Sequence, residues 1–322
     1  MSALSHHLIS GQSLFSGAFL VVLGVVLGAS LRRSPWRLAA LVPALAGFGL
    51  ALASSAPVPT FVWICLGPLL TGWLAVLCMN HDKSARIGLA AGVALAAGCV
   101  GLALAEVRHG LAPELPAAGC RSICVIGDSI SAGVGGREGA PWPELLATEH
   151  GVPVRNLSRA GSTVAMALSR VAGVDGERPL VILEIGGNDM IQGTPPAEFE
   201  RDLARLVEAV QAKAAAVIML ELPLMPGGSS YGRAQRRVAG RCGVPLVPKR
   251  LFARVLTDPG NTLDDVHLSA QGHRRMAEMI WSAIGTAVNV DHGRSDKGRD
   301  TTEGQGQTLV QTYPRASGFI CG

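Results

Sequence analysis

Val125-Ile126-Gly127-Asp128-Ser129-Ile130-Ser131-Ala132-Gly133 carries an apolar run into a glycine-flanked serine turn. The apolar run 123–126 stops at a glycine, as a buried strand does. A serine follows two residues later, in a turn with more glycine behind it. A serine on such a strand-to-loop turn stands at the C-terminal edge of a sheet, where open α/β folds build their sites. The spacing is not that of the Gly-x-Ser-x-Gly elbow, because Gly127 and Gly133 stand at other offsets. Alone, Gly-Asp-Ser is also an ordinary turn.

Downstream, the runs 152–156, 180–185, 216–221 and 244–247 alternate with helical patterns. Most are short and rich in Val, Ile and Leu, as parallel strands covered on both faces are. Phe199, Leu203, Leu206, Val207 and Val210 mark one face of a helix, with Glu and Arg opposite. Pro195 suits its start, and Ser269 caps a last helix carrying Met276, Ala277, Ile280 and Ile284 inward. Five strands alternating with helices predict an α/β domain with a doubly wound parallel sheet over residues 122–287.

Upstream, residues 1–110 form a membrane region. The apolar runs 14–31, 38–54, 60–78 and 87–105 are each close to the roughly 20 residues that cross a bilayer core. None holds Asp, Glu, Lys or Arg, which argues against an ion path or proton relay. A cleaved signal peptide explains one such run but not four. Arg32, Arg33 and Arg37 lie between the first and second runs, Lys83 and Arg86 between the third and fourth, whereas loop 55–59 and the N-terminus carry no Lys or Arg. Positive-inside counting puts both basic loops in the cytoplasm and everything after residue 105 outside. Gly24 and Gly28 have the spacing of a close helix approach, a spacing that chance also supplies in so Gly- and Ala-rich a region. Residues 111–121 make a linker with Pro113 and Pro116, and the aperiodic stretch 288–322 reads as a disordered tail.

Composition narrows the chemistry. A net charge of +4 over 322 residues, without a basic stripe interleaved with aromatics, implies no nucleic-acid partner. Seven cysteines show no metal spacing, and no metal or organic cofactor is expected. Cys65, Cys78 and Cys99 read as small buried hydrophobes. Cys120 and Cys242 precede the first and fifth strands, which stand roughly 14 Å apart in the usual strand order 2-1-3-4-5. That is beyond the about 7 Å a disulfide tolerates.

Four separated blocks fall at strand ends: Gly127-Asp128-Ser129-Ile130, Asn156-Leu157-Ser158-Arg159-Ala160-Gly161, Gly186-Gly187-Asn188-Asp189 and Asp264-Asp265-Val266-His267. Together, in this order, they resemble the SGNH (GDSL-type) hydrolase family. The opening block and Glu184-Ile185-Gly186-Gly187-Asn188-Asp189, with Trp142-Pro143 and Leu145-Leu146 between, resemble its periplasmic thioesterase/lysophospholipase branch. That branch usually lacks a four-helix anchor.

The resemblance implies a Ser129 nucleophile, a His267 base and Asp264 as the group orienting it. It implies an oxyanion hole made by the backbone amides of Ser129 and Gly161 and the side-chain amide of Asn188. The chemistry agrees, since a serine hydroxyl needs a base and a developing oxyanion needs donors. Asp128 and Asp189 read as structural, Asp265 as pointing elsewhere, and His273 as solvated. The expected activity is hydrolysis of acyl esters by a multi-pass membrane protein whose catalytic domain faces the periplasm or exterior. An O-acetyl esterase or transferase acting on cell-wall or exported glycans is the alternative, and a non-catalytic acyl or glycan binder a third reading.

Overall fold

Ser122–Gly127, buried along its whole length, is β1, at the centre of the sheet in the computed structural model. The structure describes residues 3–79, 85–113, 115, 118–135, 138–225, 227–264 and 266–289; Lys83, Asp265 and the expected tail from residue 290 lie outside them. With β2 (Val154–Asn156), β3 (Pro179–Glu184), β4 (Ala216–Leu220) and β5 (Leu246–Val247), β1 forms a five-stranded sheet in the order β2-β1-β3-β4-β5, every pair parallel. This is the expected doubly wound sheet.

Alternate residues of β1 feed opposite cores, as a pleated strand requires. Cys124 and Ile126 meet Phe199, Leu203 and Val238 from α10 (Pro196–Gln211) and α11 (Ser229–Cys242). Ile123 and Val125 meet Trp142, Phe252 and Met276 from α7 (Trp142–His150), α12 (Lys249–Thr257) and α13 (Ala270–Ile284). Coverage on both faces explains why the central strands show no apolar–polar alternation. Cys120 is a free, buried thiol, so the disulfide is absent. Its backbone pairs with that of Val288, so ordered pairing continues past residue 287.

N-terminal to the sheet stand α1 (Ala3–Ile9), α2 (Gln12–Ser30), α3 (Leu41–Leu52) with a 3-10 turn over Pro35–Ala40 before it, α4 (Thr60–Met79) and α5 (Ala85–Gly110). Four stretches, Gln12–Ser30, Pro35–Leu52, Thr60–Met79 and Arg86–Gly110, are long and apolar enough to cross a membrane. Their outward surface is apolar: Phe19, Val42, Phe61 and Ile64 are 66–71% exposed. Glycine lets α2 and α3 touch backbone to backbone, since a Cβ on Gly17 would stand 2.5 Å from the Gly47 carbonyl. Gly24 meets Ala44 of α3, whereas Gly28 meets Trp73 of α4, so the Gly24–Gly28 pair serves two neighbours. Cys99 is buried as expected, but Cys65 and Cys78 are exposed on the bundle's outer face, because an all-apolar helix gives no periodic signal for which side turns outward.

Candidate active site

The strand order reverses between β1 and β3, and the loops leaving their C-terminal ends open a crevice there. β1 stops at Gly127, where a Cβ would lie 2.6 Å from Ser131 Oγ and 2.9 Å from the Glu184 carbonyl oxygen. Asp128 then caps a single helical turn, α6 (Ser129–Ala132), its Oδ1 accepting from Ile130 N–H at 3.1 Å. Ser129 is thus the first residue of a turn and is partly exposed. The first N–H groups of a helix have no intrahelical acceptor.

Gly161 sits in the loop after β2 at φ 75°, with nothing within 4 Å of a built Cβ. Backbone conformation, rather than crowding, calls for glycine there. Thr163 caps α8 (Val164–Ala167) just beyond, and Asp189 Oδ2 accepts from Val164 N–H at 2.9 Å. Burial pushes the Asp189 carboxyl up to about 6. Asn188 is the second residue of the short helix α9 (Gly187–Gln192) after β3. Its Nδ2 donates to Asp128 Oδ2 at 3.2 Å and to the Ser162 carbonyl at 3.1 Å, tying three loops together. Asp128 and Asp189 therefore have the backbone-holding roles expected of them.

Asp264 and His267 come from the loop between α12 and α13, closed by the Thr262–Leu268 bridge and a 2.8 Å bond from Leu263 N–H to the His267 carbonyl. Asp264 Oδ1 accepts from the amides of Val266 and His267, at 2.8 and 2.6 Å. Its Oδ2 stands 2.7 Å from His267 Nδ1. The bond to His267, then the two amides, hold the Asp264 carboxyl far below the usual carboxylate range. A carboxylate on Nδ1 favours the Nδ1–H tautomer and leaves Nε2 as the acceptor. Burial raises the Asp128 carboxyl, against the bond from the Ile130 amide and the proximity of His267 and Arg170.

Sequence reasoning missed two supports of the Ser129 loop and the segment that follows it. Glu184, the last residue of β3, is buried and accepts from Ser131 Oγ at 2.7 Å. Burial and the neighbouring Asp128 raise the Glu184 carboxyl well above its ordinary value, beneath the serine turn. His273 is not solvated: it is 1% exposed, and its Nδ1 accepts from Trp142 N–H at 3.2 Å. Burial pushes the imidazole down toward the neutral form. Its Nε2 lies 3.6 Å from Glu138, whose Oε1 accepts from Gly135 N–H at 2.5 Å. The sequence signal for a solvated histidine was its place in a first helical turn, but partners about 130 positions away cover it. Among the described residues no cluster of His, Cys, Asp and Glu is arranged to hold a metal.

Residues 125–275 match the model of the GDSL-like Lipase/Acylhydrolase family. Among curated proteins, Esterase TesA of Pseudomonas aeruginosa is 31% identical over 202 residues, covering 59% of this chain and 96% of that protein. Thioesterase 1/protease 1/lysophospholipase L1 of Escherichia coli K12 is 26% identical over 187 residues, 54% of this chain and 88% of that protein. The crystal structure of TesA aligns with a TM-score of 0.45 at 31% identity, covering 51% of this chain and 97% of its own.

Proposed function

The chain belongs to the GDSL-like lipase/acylhydrolase family and is a hydrolase with esterase relatives, and from that premise we propose a membrane-anchored serine esterase that works through Ser129, His267 and Asp264. The observation that carries the reading is the 2.7 Å contact of Asp264 with His267 Nδ1, at the sheet edge where Ser129 opens its turn. His267 Nε2 takes the Ser129 hydroxyl proton as Oγ attacks the ester carbonyl, and Asp264 stabilises the imidazolium. The tetrahedral oxyanion is met by the amides of Ser129 and Gly161 and by Asn188 Nδ2. Asn188 already makes two bonds of 3.1 and 3.2 Å, so the oxyanion shares or displaces one of them. The leaving alcohol or thiol takes the proton back from His267, and an acyl-Ser129 remains. Water, deprotonated by His267, then releases the carboxylic acid.

Anchoring rests on the four apolar helices, and the outward face of the catalytic domain on charge counting. The loop after α3 and the end of α5 both touch the catalytic domain, as an even number of spans requires. The relatives' names carry esterase, thioesterase and lysophospholipase activities, and these set the substrate panel: acyl thioesters, aryl esters and lysophospholipids from acetyl to long-chain. The test is hydrolysis of that panel by the full chain and by Ser129→Ala. Loss of every activity in a folded variant is expected; more than a tenth of wild-type turnover in Ser129→Ala contradicts the assignment.

A further inference from the structure

Between residues 122 and 289, the exposed large apolar side chains among the described residues are Val134, Met166, Ile191, Met225, Leu263 and Val266. All six stand on one edge of the sheet. The connections that leave β1, β2, β3 and β4 contribute one each, and the Asp264–His267 loop contributes two. The connections entering the strands from the opposite edge contribute none. These residues therefore surround Ser129 with an apolar rim at the C-terminal edge alone.

The same edge is turned toward the bundle. Arg236 of α11 grips Glu106 of α5 through two bonds of 2.7 Å, and its Nε reaches Glu221, just past β4, at 2.6 Å. Lys249, just past β5, donates to the Ser55 carbonyl at 2.9 Å, and Arg233 to the Val58 carbonyl at 2.8 Å. Glu221 and Lys249 are 2–4% exposed, and such desolvated ion pairs serve geometry more than net stability. The linker agrees. It leaves Gly110 beside Arg250, at the C-terminal edge, yet Leu115 and Ala118 lie with Ala214, Gly243 and Pro245 at the opposite edge. The chain doubles back along the sheet before entering β1. The contacts with the bundle come from α11 and α12, the helices that flank β4 and β5, and the surface beside a membrane-embedded bundle is lipid.

We infer that the rim seats in the leaflet facing the catalytic domain, so that Ser129 receives its ester from amphiphiles resident in that leaflet. The inference rests on the esterase and anchoring readings above. Scattered apolar side chains on a soluble domain are ordinary, but a set confined to the one edge held against the bundle is a surface made for an interfacial contact.

Full-length protein in vesicles of phosphatidylethanolamine and phosphatidylglycerol tests it in two ways. A bimane on Met225→Cys, in a Cys65→Ala/Cys78→Ala/Cys242→Ala/Cys321→Ala background, is expected to be quenched by brominated phospholipid and shielded from aqueous iodide. Quenching by iodide and not by brominated lipid overturns the inference. Second, Ile191→Glu/Met225→Glu is expected to lower the ratio of vesicle-borne long-chain ester turnover to soluble short-chain ester turnover by about tenfold or more. An unchanged ratio overturns it as well. Failure of the catalytic reading shows separately, as hydrolysis that survives Ser129→Ala while the quenching stays as expected.

Discussion

Replacing Asp264 by Asn changes one atom next to His267 and tests the tautomer argument. In the structure Oδ1 takes two backbone amides and Oδ2 takes Nδ1–H at 2.7 Å. An asparagine that keeps its Oδ1 on those amides turns its NH2 toward Nδ1. The imidazole then places its proton on Nε2, the atom that has to accept from Ser129. Where this change has been made in a buried triad the loss is about 10⁴. Asp264 is 56% exposed on its side chain, so water relieves part of the penalty and the imidazolium is less dependent on this carboxylate. The expected loss in kcat is therefore on the order of 10²–10³, within the general-base range. Hydrolysis of a soluble aryl ester, with circular dichroism to verify folding, measures it. The backbone amides retain their acceptor, so the thermal midpoint should barely move. A folded Asp264→Asn within fivefold of wild type refutes the reasoning.

Asn188→Ala should lower kcat by about 10²–10³ with little change in KM, since the amide meets charge present only in the transition state; a change confined to KM assigns it to substrate binding. His273→Ala strands the buried Trp142 N–H, a cost of about 1–3 kcal/mol, and should lower the thermal midpoint; an unchanged midpoint contradicts the buried contact. Asp189→Asn keeps an acceptor for Val164 N–H but removes a carboxyl held up at about 6. A carboxyl raised in the native state makes the folded protein lose stability as pH climbs from its unfolded value through its folded one. The stability of the variant relative to wild type should therefore grow between pH 4 and pH 7, read by denaturant unfolding, and a constant difference overturns that shift.

The sheet was legible because a parallel sheet buried on both faces writes each central strand as an unbroken apolar run, as 123–126 and 180–185 do. The candidate site residues were picked out because they follow strands: Ser129, Gly161 and Asn188 stand in the connections that leave β1, β2 and β3. What escaped has its partner far along the chain. His273 looks solvated until Trp142 and Glu138 close over it. Arg236 and Glu106, 130 positions apart, look like separate surface charges in the sequence, yet their contact fixes which edge of the sheet faces the bundle. Cys65 and Cys78 escaped for another reason: an all-apolar helix does not record in its sequence which face is outermost.

Phosphonylation of the nucleophile tests the Ser129 mechanism itself. The full-length protein is treated with a fluorophosphonate, digested, and the modified peptide sequenced by mass spectrometry. A single adduct on Ser129 is expected, formed in wild type, abolished in Ser129→Ala and slowed in Asp264→Asn. An adduct on any other residue, or none on a folded protein that hydrolyses esters, contradicts it.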